Sequence, residues 1–242
     1  MRFANSLIRS ADVRAMGAAA TLLVGVAMGA ATPVGAQEPD AVHPQLAQAV
    51  GYYTGTIGEV DDPRAHDLLL EAVADDDVLA RMWLARCYSR GRMRFDRDEA
   101  GARELAATVI EEVRSLAERG SPEASFLMGT AFDEALGVDG DAARATAWYH
   151  RAAQLGNVLA QHNLGNKYRG GDGVVQDAGI AAFWYRQAAT QGDALPAFWL
   201  GQMYEQGEGV PVSREEALHW YGDAARRGNV RAQEALARLQ SR

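Results

Sequence analysis

Three segments of the chain share one pattern: WYHRAAQLGN at 148–157, WYRQAATQGD at 184–193 and WYGDAARRGN at 220–229. Trp-Tyr, two variable residues, Ala-Ala, two variable residues, Gly and Asn or Asp recur every 36 residues. A period of this size signals a stacked array, in which each unit leaves an apolar face that only its neighbour can cover. Other columns keep the same frame without gaps: Gly120, Gly156, Gly192 and Gly228; Gly129, Gly165 and Gly201; Phe132, Tyr168 and Tyr204; Gly137-Val138, Gly173-Val174 and Gly209-Val210.

The frame extends backwards with decay. Residues 41–76 keep it through Tyr52, Asp61, Ala65 and Ala72. Residues 77–120 keep it at both ends, through Ala80, Leu84, Tyr88, Ala117 and Gly120. Between those ends lie eight extra residues, about two helical turns, which predict a longer second helix over 97–119. Units follow at 121–156, 157–192 and 193–228, and residues 229–242 read as one further helix that ends the array. Arg231, Glu234 and Arg238 suit the solvated side of such a cap.

Each unit reads as two helices. In 157–192, Asn157 is a good N-cap, and Ala160, Leu164 and Tyr168 follow at helical spacing on one face. Gly170, Gly171 and Gly173 break that helix. Asp177 caps a second one running to about residue 191, and Gly192 closes it before Asp193 caps the next. A small residue recurs within the first helix (Ala85, Gly129, Gly165, Gly201), where the absent side chain makes room for a partner helix.

These residues carry a family resemblance. A-x-x-x-L-G-x-x-Y, then G-x-G-V, then A-x-x-W-Y-x-x-A-A-x-x-G-[ND] resembles the Sel1-like repeat, a relative of the tetratricopeptide repeat. Units 157–192 and 193–228 match closely, although Pro196 replaces an alanine. Unit 121–156 departs with Met128 and Phe132, and the two earlier units follow by spacing only. The resemblance implies an all-α fold, a right-handed α-solenoid of helix-turn-helix repeats, acting as a scaffold that binds a protein partner without catalysis. Exported bacterial members resemble adaptors for envelope proteins or sensor kinases. Two alternatives stay open: a cell-wall glycan or β-lactam-binding protein or enzyme, and an accessory scaffold in exopolysaccharide assembly.

The N-terminus points to export. Arg2, Arg9 and Arg14 precede an uncharged apolar run at 15–31, and Val34-Gly35-Ala36 places small residues before Gln37. This is the pattern of a cleaved secretory signal at 1–36, cut after Ala36, with a periplasmic or secreted product and no membrane insertion after cleavage. The whole chain carries −8; residues 1–36 hold three Arg and one Asp, so the remainder carries −10. That balance argues against nucleic acid, which demands clustered Lys and Arg. The single Cys87 permits no internal disulfide, so stability rests on packing.

No catalytic constellation stands out. The five histidines (His43, His66, His150, His162, His219) lack metal-ligand spacing, and no metal or cofactor site is expected. His150 and His219 read as surface residues of second helices. Asp139-Gly140-Asp141 reads as a turn with a cap rather than a calcium loop. Gly170-Gly171-Asp172-Gly173 follows a helix and lacks the Lys of a phosphate loop. Cys87 reads as a buried small hydrophobe.

A partner site is sought on the first helices. At 100° per residue, the face opposite Ala160, Leu164 and Tyr168 holds Leu159, His162 and Asn166. The same columns give Met82 and Arg86, Phe126 and Thr130, Phe198 and Gln202. The stripe of Met82, Phe126, His162 and Phe198 is apolar for a face the core does not need, which suits either a concave binding groove or packing against the preceding unit's second helix.

Overall fold

The computed structural model describes residues 42–241. The signal segment at 1–36 and its cut after Ala36 lie outside them. Among the described residues the chain forms helices and no strands. Hairpins pair α1 (Pro44–Thr54) with α2 (Asp62–Ala74), α3 (Val78–Arg90) with α4 (Glu99–Glu118), and α5 (Pro122–Glu134) with α6 (Ala142–Gln154). They continue with α7 (Val158–Gly170) and α8 (Ala178–Thr190), then α9 (Ala194–Gln206) and α10 (Arg214–Arg226), and α11 (Val230–Gln240) ends the array. The architecture is an α-solenoid.

Helix starts are chemically marked. Every helix from α2 to α11 begins after an Asp, Asn or Ser whose side chain accepts a backbone N–H of the first turn. Such a cap satisfies a donor that the helix leaves orphaned. The loop inside each hairpin is held by one recurring bond. Asp141 N–H donates to the Phe132 carbonyl (2.9 Å), Asp177 N–H to Tyr168 (2.8 Å) and Ser213 N–H to Tyr204 (2.9 Å).

Tyrosine packs deeper than tryptophan in the recurring Trp-Tyr pair. Tyr149, Tyr185 and Tyr221 are 2 % exposed or less, whereas Trp148 and Trp184 are half-buried. Each Tyr ring lies over a glycine of its own first helix, twenty residues back. A Cβ on Gly129 would stand 2.5 Å from Tyr149 Cδ1, one on Gly201 would stand 2.7 Å from Tyr221 Cδ1, and Gly165 faces Tyr185 in the same way. The glycines cost helix propensity, about 1 kcal/mol each relative to Ala. In return the aromatic ring meets the backbone of the facing helix, and the hairpin closes tightly.

The array also curls back on itself. Arg227 Nη1 reaches the Gly55 carbonyl at 3.5 Å, across 172 residues. A Cβ on Gly192 would lie 2.8 Å from Arg227 Nη1 and 3.3 Å from Thr56 Cα. The first loop of the array therefore rests on the turns that bound its fifth hairpin.

Candidate functional site

The first-helix stripe proposed as a groove is mostly core. Met82, Arg86, Phe126, Thr130, Leu159 and Phe198 are all 8 % exposed or less. The cause is the second helix of each hairpin. Phe126 packs tilted against Tyr149 (6.0 Å) and Phe198 against Tyr221 (5.7 Å), and His162 meets Tyr185 edge-on (6.5 Å), each pair 23 residues apart. Tyrosines of the second helices cover Phe126, Thr130 and Phe198, Arg86 is covered by Tyr53, Trp83 and Phe126, and Met82 and Leu159 are likewise buried, so the groove reading is corrected for these six residues.

The remaining three stay accessible in part. Asn166 is exposed and its Oδ1 accepts the Tyr185 hydroxyl at 2.7 Å. His162 is half-buried, with Nδ1 2.9 Å from Asp193 Oδ2. Gln202 is half-buried and its Oε1 accepts from Arg169 Nη2 at 3.3 Å. In the same column Thr130 takes the Tyr149 hydroxyl, at 3.4 Å. The column therefore orients tyrosines as much as it offers polar surface. His150 is half-buried too, with Nε2 2.9 Å from the Tyr168 hydroxyl, and burial lowers its pKa. Cys87 is fully buried, and burial pushes its thiol up to about 12, far from a reactive thiolate.

Arg86 and Glu123 are among the charged groups buried inside the array. Arg86 is 5 % exposed, stacks against Trp83 (4.5 Å), Phe126 (5.3 Å) and Tyr53 (5.7 Å), and its Nε and Nη1 have no hydrogen-bond partner among the described residues. The ring faces supply the electrostatic contact that hydrogen bonds do not. Glu123 is 8 % exposed and accepts from Trp83 Nε1 (2.5 Å) and Asn157 Nδ2 (2.8 Å). Burial raises its carboxyl, outweighing those two bonds and the charge of Arg86.

The feature that breaks the repeat lies in the second hairpin. Gly173 packs on Ala142 and Gly209 on Ala178, which are the first residues of α6 and α8. A Cβ on Gly137 would instead stand 3.0 Å from the backbone of Ala106 and Ala107, well inside α4. The first two turns of α4, about 10 Å at 1.5 Å per residue, therefore project beyond the level where other second helices begin. Beside this overhang opens a recess of about 470 Å³. Its walls are Ser89 and Arg90 from the end of α3, Arg97 from the loop before α4, Glu99 and Arg103 from the overhang, and Asp133 to Leu136 from the end of α5 and the residues after it.

The recess wall holds three arginines and three carboxylates, all of them engaged. Arg97 and Arg103 both turn to Glu99. Arg90 (3.4 Å) and Arg92 (2.5 Å) both turn to Glu134, which also accepts from the Ser89 hydroxyl. Burial raises the Glu134 carboxyl, but the bonds and charge of Arg92 and the bond from Ser89 outweigh that and hold it below its ordinary value. Asp133 is taken by Lys167. Four guanidiniums thus share two carboxylates. The sequence signal was present in the eight extra residues, but the arginines themselves are scattered along the chain and come together only in the fold.

Stacked helical hairpins with a half-polar inner column and one charged recess define a repeat solenoid. The chain belongs to the Sel1 repeat family, whose defining pattern matches residues 45–77, 78–107, 122–157, 158–193 and 197–229. Members of this family generally act as non-catalytic scaffolds for protein–protein interaction. The fold is similar to that of a Sel1 repeat protein from Oxalobacter formigenes, at 30% identity and TM-score 0.55, over 82% of this chain and 78% of that one. It is also similar to c5321, a protective antigen of uropathogenic Escherichia coli, at 28% identity and TM-score 0.55, over 81% of this chain. The chain spans about half the length of that antigen, 48%. No curated protein matches the chain in sequence. No helix among the described residues is long and apolar enough to cross a membrane.

Proposed function

We propose that the chain is an exported scaffold of the bacterial envelope that holds a protein partner, an envelope protein or a sensor kinase, and performs no chemistry itself. The observation that carries this reading is the recess. The residues that interrupt an otherwise regular array form a charged hollow beside α4, a departure that stacking alone does not require. The leader-like pattern at 1–36 supports export to the periplasm or the medium. The polar positions Asn166 and Gln202 offer further contact surface on the first helices.

The test is crosslinking in the intact envelope, with a photoreactive residue placed in turn at Arg97, Asn166 and Gln202. One defined protein partner, captured from at least one of these positions and absent from a control at Arg231, supports the scaffold. Fractionation and N-terminal sequencing check export and the cut after Ala36. Failure to capture protein, together with binding of a muropeptide or a β-lactam in calorimetry, would replace the scaffold by a small-ligand role.

A further inference from the structure

We infer that the outer face of α8 pairs with the same face of a second copy of this chain, about a two-fold axis parallel to the helix. The starting observation is a break in the repeat. On α8, Phe183 is 53 % exposed and Ile180, one turn before it, is 39 % exposed. In the same two columns the other second helices hold Arg64 and Asp67, Thr108 and Glu111, Arg144 and Ala147, and Glu216 and His219. Only α8 carries large apolar side chains at these positions.

Two more exposed hydrophobes stand at the start of the same helix. Val175 lies two residues before Asp177, the cap of α8. Val212 belongs to the loop whose Gly209 packs on Ala178, the first residue of α8. None of the four joins the hydrophobic core of the array. Covering them removes apolar surface from water, which drives association.

Charge specifies the occupant. Residues 144, 180 and 216 share one column on α6, α8 and α10, and they read Arg, Ile and Glu: basic, apolar, acidic. A half-turn about a line parallel to α8 lays the acidic end of one such row over the basic end of the other. Arg144 of each copy then meets Glu216 of the other, across a centre of Ile180 and Phe183. Both ends are available. Arg144 is exposed and donates no hydrogen bond among the described residues; its one ion pair, with Asp141, is 3.4 Å long. The Glu216 carboxylate accepts the Trp220 indole N–H at 3.0 Å, and neither Glu216 nor the exposed Glu215 has a basic partner among the described residues.

A two-fold contact must be self-complementary, and this row meets that condition. A partner of one charge, whether an anionic bilayer or a basic protein, would be repelled by one end of the same row.

The experiment is sedimentation equilibrium on the purified protein from about 1 to 200 µM, the range in which an interface of this modest size associates. The wild type should pass from monomer to dimer across that range. Phe183→Glu acts twice in a symmetric pair and should weaken association about a hundredfold or more. Val230→Glu, at an exposed hydrophobe of α11, should change it less than about twofold, since it lies off the face. Arg144→Glu and Glu216→Arg should each weaken self-association about tenfold, because each sets like charges together. Mixed in equal amounts, these two variants should form a heterodimer at wild-type strength, since opposite charges then meet at both ends. Circular dichroism establishes that the variants remain folded.

A wild type that stays monomeric throughout the range overturns the pairing, and so does an undiminished dimer in Phe183→Glu. Charge variants that gain nothing on mixing overturn the two-fold as described. Capture of a different protein by a photoreactive residue at Gln187, from a wild type that stays monomeric, gives the face to that protein instead.

Discussion

Gly129→Ala isolates the contact that closes each hairpin. In a free helix the change would stabilise by about 1 kcal/mol. Here the new methyl would lie 2.5 and 2.6 Å from Cδ1 and Cε1 of Tyr149, against an ordinary carbon–carbon separation of about 3.5–4.0 Å. Tyr149 is 1 % exposed and packs on Phe126, so the ring has no free volume to enter. Overpacking of this kind costs about 1–3 kcal/mol and outweighs the propensity gain. The net loss is then up to about 2 kcal/mol, which lowers Tm by up to about 8 °C for a chain of this size. Gly222→Ala is the control. It sits within α10, where a methyl would meet only Arg226 Nη1 at 3.6 Å. It carries the same propensity gain without the clash, so its Tm should rise by about 2–4 °C. Tyr149→Leu should cost less in the Gly129→Ala background than alone, a coupling that a double-mutant cycle reads directly. A Gly129→Ala protein that melts above the wild type, as Gly222→Ala should, would refute the ring-on-glycine account.

Four further outcomes follow from the same geometry. Ala135 holds a left-handed conformation, φ 53°, where Gly91, Gly171 and Gly207 stand in other hairpins, so Ala135→Gly should raise stability by about 1 kcal/mol in urea unfolding. Arg92→Ala strips the buried Glu134 of its main partner and should cost about 3 kcal/mol near neutral pH. Because the folded Glu134 carboxyl is held below its unfolded value, its stabilisation is complete above the ordinary carboxylate range and fades as pH falls. The gap between wild type and Arg92→Ala should therefore narrow in acid. Asn157→Asp keeps the cap of α7 but sets a second carboxylate against Glu123, whose carboxyl burial raises, so its deficit in denaturation midpoint should shrink as pH is lowered from neutral. Gly192→Ala should destabilise more than Gly228→Ala in matched melts. Both have positive φ, but only the first would press on Arg227 and Thr56.

The hairpins were legible because their punctuation is chemical. Asn157, Asp177 and Asp193 cap helices wherever the frame places them, and the Gly column marks each close approach. What hid was which side of a first helix faces water. In α5 all the residues from Glu123 to Phe132 are buried, so helical periodicity carries little information about an open face. Phe126 and Phe198 look like groove residues in sequence. The rings that cover them belong to tyrosines 23 positions later, which an apolar stripe read on one helix does not reveal. The recess was hidden for a different reason. Its arginines come from two helices and the loop between them and converge where α4 outruns its neighbours.

The meeting of the Gly55–Thr56 loop with Gly192 and Arg227 fixes how many units this array can hold. An open solenoid gains or loses a repeat with little penalty, since each unit knows only its neighbours. Here an added 36-residue unit upstream of Gly192 would carry the later turns past the loop and undo the clasp. Length is thereby a property of the whole molecule, and tandem duplication, the usual way repeat proteins grow, would act on this one as a destabilising mutation.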